Sequence, residues 1–268
     1  MSTGYDLDRL GEFFRNSGAE RWFEFREELE STQDLAFVLA EKGAEDGSVV
    51  LTDAQTRGRG RHGKAWHSPG GAGIWFSMLL RPAAAEPPPV PALLVAATAV
   101  AVAEAVERET DLVPAIRWPN DLVIGDRKIA GILVETRDFD PAAPLFVLGV
   151  GLNVAQSPGD FAPGIRAEAT SIAIEKGKAP DRTLLLGAVL DALDHWRGTL
   201  EAGGAASVEE AFRARVAYLG RRVSLLEGEE VVEGVLESAS PVAGLFLRLP
   251  DGGWRAVRPE HARDLRPA

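Results

Sequence analysis

The run Gly58-Arg59-Gly60-Arg61-His62-Gly63-Lys64 concentrates cations in a chain whose formal net charge is -11. Counting Arg57, four cations fall within eight positions, interleaved with glycines that let backbone N–H groups approach a ligand and turn through positive φ. Guanidinium forks bind oxyanions bidentately and keep their charge in a dry site, so the loop suits capture of a phosphate or acyl-phosphate. Its glycines also satisfy G-x-G-x-x-G, but the dinucleotide fingerprint needs a helix directly afterwards. Ser68-Pro69 and Gly70-Gly71 mark an irregular loop there instead. The absence of His-Arg-Asp and Asp-Phe-Gly downstream sets aside a protein-kinase loop. Taken alone, the run is read equally well as a solvated basic loop.

Three further clusters carry polar chemistry. They are Arg117-Trp118-Pro119-Asn120-Asp121 with Lys128 seven residues on, Gly149-Val150-Gly151-Leu152-Asn153, and Glu30-Ser31-Thr32-Gln33. Each has a purely structural reading. Ser31 with Asp34 is a capping-box variant at a helix start, and Asn120-Asp121 a turn-forming pair after proline. Lys128 reads as a solvated hairpin lysine, Gln55 as an exposed loop residue and Trp66 as core. Gly131, Gly149 and Gly151 read as β-bulges.

The elements that must position these residues follow from periodicity and breakers. Residues 1–20 hold a weak helix, and Trp22 to Arg26 alternates as a strand. A helix spans Thr32 to Lys42, and strands are expected at Ser48–Thr52 and Ile74–Leu80. The proline run 87–91 breaks the chain before an alanine-rich helix over Ala92–Glu109. Strands follow at 116–118, 122–124 and 128–135, with Gly125-Asp126 as a hairpin turn. Leu145 to Val154 reads as a strand covered on both faces, and helices are expected at Thr183–Leu200 and Val208–Tyr218. Short strands at 222–226, 231–237, 245–249 and 254–257 fit a small antiparallel barrel. The expected division is therefore 1–218 and 219–268.

Composition narrows the function. A chain of 268 residues with 46% hydrophobic and 26% charged content is an ordinary globular protein large enough for a real core. With no cysteine there is no thiolate nucleophile and no thiolate zinc site. His62, His67, His195 and His261 are scattered, so no metal-ligand set is assigned. No long apolar span or signal-peptide pattern is present, which gives a cytoplasmic expectation without membrane attachment. The acidity argues against a duplex-DNA binder.

Taken together, the four clusters are highly specific, and over residues 22–266 the sequence resembles a biotin protein ligase. The resemblance implies an α/β catalytic domain with a mixed sheet flanked by helices, plus a small SH3-like C-terminal barrel. It implies activation of biotin with ATP and Mg²⁺ to biotinyl-5′-AMP, then transfer to a lysine of the biotin carboxyl carrier domain of a carboxylase. Neither step needs an enzyme nucleophile, in keeping with the lack of cysteine. By resemblance Ser31, Thr32, Gln33, Gln55, Gly58, Arg59, Arg61, Lys128 and Gly131 face biotin. Arg59, Arg61, Gly63, Lys64, Trp66, Asn120, Lys128, Gly149, Gly151 and Asn153 face ATP or the adenylate. Arg61 and Lys128 are expected to stabilise charge on the phosphate, and Asp121 to assist a metal or the incoming amine. The chain departs from the usual family pattern at Arg117, for lysine, and Gln33, for asparagine. Residues 1–30 are too few for the DNA-binding domain that some ligases carry, so no nucleic-acid partner is expected. Ligases of this type occur as monomers and homodimers. The alternatives are a lipoate or octanoyl ligase or transferase of the same fold, and a non-catalytic biotin-binding protein.

Overall fold

A computed structural model of the chain describes residues 4–16, 21–82, 90–137, 140 and 143–268. Seven strands form the main sheet: β1 (Phe23–Leu29), β2 (Val49–Gln55), β3 (Gly73–Leu80), β4 (Ala115–Arg117), β5 (Asp121–Ile124), β6 (Arg127–Glu135) and β7 (Phe146–Asn153). They lie in the order β1-β2-β3-β7-β6-β5-β4. Only β1 and β2 run parallel, and every other neighbouring pair is antiparallel. The helices are α1 (Leu7–Asn16), α2 (Thr32–Glu41), α3 (Pro91–Thr110), α4 (Ile172–Lys176), α5 (Arg182–Glu201) and α6 (Ala205–Ala214).

Alternation along the central strands assigns each face of the sheet. Val50, Leu79 and Val147 pack with Ala36, Phe37 and Ala40 of α2. Their neighbours Val49, Leu51, Met78, Leu80 and Leu148 turn the other way, into the core built with α3 and α5. Both faces of β3 and β7 are thus covered, as the apolar runs suggested. Full burial of a side chain such as Phe76 or Leu148 contributes about 1.5–3 kcal/mol. On the α2 face, beyond the helix's N-terminus, β7 presents Gly149 and Gly151 before Asn153. A recess opens there.

A second sheet of five antiparallel strands comprises β8 (Arg222–Glu227), β9 (Glu230–Ser240), β10 (Gly244–Arg248), β11 (Trp254–Val257) and β12 (Ala262–Pro267), in the order β11-β10-β9-β8-β12. Its Val223, Leu225, Leu236, Leu245 and Leu265 join the main core.

The sequence-based reading misses two elements. Strand β12, Ala-Arg-Asp-Leu-Arg-Pro, buries only Ala262 and Leu265, so charges and proline mask it. Helix α4 has five residues, too few to show a period. The helix expected at Val208–Tyr218 begins at Ala205 and ends at Ala214. Residues 215–217 instead run beside β4, with Ile116 donating its N–H to the Arg215 carbonyl and accepting from the Ala217 N–H. Prolines 87–89 lie outside the described residues.

Candidate active site

The recess begins at the N-terminus of α2. Ser31 has the extended backbone of a helix cap, but its hydroxyl makes no capping bond. It accepts instead from Arg59 Nη1 at 3.1 Å, which replaces the capping-box reading with Asp34. Thr32 donates its backbone N–H and its hydroxyl to Gln55 Oε1, at 2.9 and 3.2 Å. Ser77 Oγ donates to Thr32 Oγ1 at 2.8 Å, and Gln55 Nε2 to Ser68 Oγ at 2.8 Å. This end of the recess is a fixed array of neutral hydrogen-bonding groups. Gln33 donates Nε2 to Glu135 at 2.8 Å. Its buried Oε1 has no hydrogen-bond partner among the described residues, a costly condition for a buried acceptor that a ligand N–H would relieve.

The glycine-and-cation loop is a small hairpin. Gly60 N–H donates to the Lys64 carbonyl at 2.7 Å, and Trp66 N–H to the Gly58 carbonyl at 2.8 Å. Only Gly63 among its glycines uses positive φ, at 70°, beside His62 at 56°. Gly58 is required for space, since a Cβ there would lie 2.7 Å from the Trp66 carbonyl oxygen.

The two arginines of the loop have different jobs. Arg59 bonds Asp34 at 2.8 Å and Glu135 at 3.0 Å as well as Ser31. Burial works against its charge, but the two carboxylates outweigh that and raise its pKa. With its fork occupied by two acids, Arg59 pins the loop to α2 and β6. Arg61 donates to Asn120 Oδ1 at 3.2 Å and to the Pro259 carbonyl at 2.9 Å. Both partners are neutral, so its charge is uncompensated by direct contact, and burial lowers its pKa against the pull of Asp121 and Glu260. Lys64 reaches across to the C-terminal sheet, 3.0 Å from Asp264.

Across the recess, Asp121 joins two cations. Its Oδ2 accepts from Arg117 at 3.0 Å and its Oδ1 from Lys128 at 2.6 Å. Burial opposes its ionisation, yet Lys128 and Arg117 overcome this and hold its pKa below the usual carboxylate range. Both of its oxygens are engaged by these two cations. The Lys128 backbone is held by Glu168 and Thr170, and its Nζ sits 4.9 Å from the Trp66 ring centroid. Asn120 donates Nδ2 to the Ile132 carbonyl at 2.9 Å, leaving Oδ1 for Arg61.

Gly131 and Gly151 face each other in the β6–β7 register, and together they seat the indole of Trp66. A Cβ would come within 2.8 Å of Trp66 at Gly131 and 2.4 Å at Gly151. Gly149 similarly seats the Gln33 amide, at 3.1 Å. The close approach expected at these glycines is thus made by protein side chains. Trp66 Nε1 is buried without a partner among the described residues. Asn153, expected at the nucleotide, is committed to the Thr170 carbonyl and to Gln156 at 2.9 Å each.

Apart from Gly58 and Gly63, which do not line it, the site residues named from sequence border one cavity of about 820 Å³, from Ser31 and Gln55 past Arg61 and Lys128 to Arg263 and Asp264 on the C-terminal sheet. Sequence reasoning missed Asp34 and Glu135 as partners of Arg59, Pro259 as an acceptor for Arg61, and Asp264 on the far wall. Nothing local in the sequence marks them.

The biotin/lipoate A/B protein ligase family model matches residues 26–153. The chain is 34% identical over 238 residues to the biotin--[acetyl-CoA-carboxylase] ligase of Mycobacterium tuberculosis, covering 85% of this chain and 82% of that protein. This chain belongs to the biotin protein ligase family. A biotin protein ligase from Aquifex aeolicus in complex with biotin and ATP superposes with a TM-score of 0.79 at 28% identity, covering 92% of this chain and 99% of that one. The bifunctional ligase/repressor BirA of Bacillus subtilis is 38% identical over 159 residues, 59% of this chain. That alignment spans 48% of BirA, so the chain accounts for about half the length of this biotin ligase relative. Among the described residues, no helix is long and apolar enough to cross a membrane.

Proposed function

We propose that the protein is an ATP-dependent biotin protein ligase that forms biotinyl-5′-AMP and transfers the biotinyl group to a lysine of a biotin carboxyl carrier domain. The observation that carries this reading is the polarity of the cavity that the site residues line. Amide and hydroxyl groups line one end beside Arg59, whose charge is taken up by Asp34 and Glu135, and Arg61 and Lys128 flank the middle. A urea-like head with an anionic tail fits that gradient, with Gln33 Oε1 an acceptor ready for a ligand N–H.

In the first step a biotin carboxylate oxygen forms a bond to the α-phosphorus of ATP, and the bond to the β-phosphate bridging oxygen breaks to release pyrophosphate. Two anions must be brought together, and negative charge grows on the phosphoryl oxygens. Arg61 and Lys128 supply positive charge fixed before the reaction begins, the arrangement that lowers such barriers most. Asp121 and Asn120 keep those cations in place. In the second step the neutral ε-amine of the acceptor attacks the acyl carbon, the bond to the phosphate oxygen breaks, AMP leaves and the amine proton passes to solvent. The hairpin 58–66, closed against the C-terminal sheet, keeps water from the mixed anhydride. Mg²⁺ belongs to this scheme as part of the ATP substrate. We take residues 219–268 as a separate unit whose edge closes the cavity.

The test is biotin-dependent exchange of labelled pyrophosphate into ATP without carrier protein. Exchange that requires biotin supports the reading. Exchange supported by lipoate would move it to a lipoate ligase, and biotin binding without exchange to a vitamin-binding protein.

A further inference from the structure

We infer that Arg182, acting with Tyr5 and Asp53, is a positioning residue for the Trp66 wall of the site. The inference deepens the proposed ligase reading and rests on it. Arg182 opens α5 and is buried, with 6% of its surface exposed. Its Nη1 donates to Asp53 Oδ1 at 2.8 Å and to the Gly73 carbonyl at 3.0 Å. Its guanidinium carbon lies 4.3 Å from the centroid of the Tyr5 ring, and the Tyr5 hydroxyl donates to the same Gly73 carbonyl at 3.1 Å. Asp53 offers its other oxygen to the Gly71 N–H at 2.9 Å. A buried guanidinium needs a charged partner and full hydrogen bonding. Here bonds from Arg182 and Tyr5 reach Gly73 directly, and Asp53 carries the Arg182 contact on to Gly71, the other end of the same short stretch.

That stretch leads from the ligand loop into β3. Beside it, the Ala72 carbonyl accepts from Val154 and Ala155 N–H. The Trp75 ring packs directly on Gly73, where a Cβ would lie 2.2 Å from Cη2. Trp75 donates Nε1 to the Pro69 carbonyl at 3.4 Å and meets Trp66 edge-to-face, with centroids 6.3 Å apart. Trp66 in turn stands over Gly131, Gly151 and Lys128. An unbroken line of contacts therefore runs from Arg182 to the lysine expected at the phosphate. Arg182 and Tyr5 lie outside residues 26–153, the part matched by the family model. Asp6 N–H, donating to Thr183 Oγ1 at 2.9 Å, ties the N-terminal segment to the same helix end.

The experiment compares the full chain with Arg182→Lys, Tyr5→Phe and the double variant. Arg21→Lys serves as the control, because Arg21 forms a similarly buried pair with Asp194 that contributes no group to the cavity. Each is measured in pyrophosphate exchange with separate KM values for ATP and biotin, and by melting temperature. Arg182→Lys should raise the KM for ATP about tenfold, with kcat at saturating ATP and the KM for biotin within about twofold. Tyr5→Phe should raise it less, and the double variant should be no worse than Arg182→Lys, since the two groups share one acceptor. Arg21→Lys should lower melting temperature without moving the KM for ATP. A change in melting temperature with unchanged KM in Arg182→Lys, or equal effects from Arg21→Lys, overturns the inference. A second arm needs no activity: the fluorescence difference between each chain and its Trp66→Phe counterpart isolates Trp66. Unaltered Trp66 emission in Arg182→Lys also overturns it. Absence of exchange in the parent chain counts only against the ligase reading.

Discussion

The indole of Trp66 lies so close over Gly151 that a methyl group on that α-carbon would come within 2.4 Å of Cε2. The glycine is therefore a fitted surface for the ring. In Gly151→Ala the ring must leave its seat, and Lys128 loses the aromatic face beside it. We expect adenylate formation to fall by about 10², with a shift in tryptophan emission. Wild-type exchange together with an unshifted spectrum would remove Trp66 from the site.

Arg61 and Lys64 both bridge to the C-terminal sheet, but differently. The Lys64–Asp264 pair is exposed, with side chains 65% and 48% accessible, so Lys64→Ala should change stability by less than about 1 kcal/mol. Arg61→Ala removes from the cavity a half-buried charge that no carboxylate contacts directly. It should reduce adenylate formation by about 10²–10³ and let the adenylate escape, measured as free biotinyl-5′-AMP after rapid filtration. Unchanged yield and retention would defeat the clamp assignment.

Asp121 sets a pH expectation. Its pKa is depressed below the ordinary 3.8, so the stability that its charge contributes is fully present above 3.8 and is lost as pH falls through the lower folded value. Between about pH 5 and pH 8 Asp121 stays ionised, and the exchange rate should show no inflection belonging to it. Asp121→Asn should slow exchange about 10²-fold through loss of Lys128 orientation. An inflection above about pH 5 that disappears in Asp121→Asn would contradict this.

The loop glycines should rank by space and backbone. Gly58→Ala meets the Trp66 carbonyl at 2.7 Å and Gln55 Nε2 at 2.9 Å, and Gly63→Ala must hold φ near 70°. Gly60→Ala has ordinary φ and no neighbour nearer than 3.6 Å. Melting temperatures should fall for Gly58→Ala and Gly63→Ala, the latter by the equivalent of about 1–2 kcal/mol, and stay within about 2 °C for Gly60→Ala. A large loss in Gly60→Ala would mean that the loop is built otherwise.

Much of the architecture was legible because it rests on local patterns. The apolar runs of β3 and β7, the turn at Gly125 and the alanine-rich α3 each carry their own period or breaker. Strand β12 was hidden because its pairing with β8, rather than its composition, makes it a strand. The site divides the same way. Arg61 stands out by type and spacing and Lys128 through the family resemblance, whereas the contacts of Arg59 depend on Asp34 and Glu135, 25 and 76 residues away. No rule of spacing reaches such partners. Gly151 was visible as a glycine, but not that a tryptophan from another strand connection fills its place.

The acceptor of Arg61 on the C-terminal sheet is the carbonyl of Pro259, 198 positions further along the chain. During synthesis the glycine-rich hairpin leaves the ribosome long before that carbonyl exists. A growing chain can assemble the seven-stranded sheet and the neutral end of the recess while the far wall is still untranslated. On the proposed ligase reading, the closure that shields an activated product is then completed only when the second sheet docks.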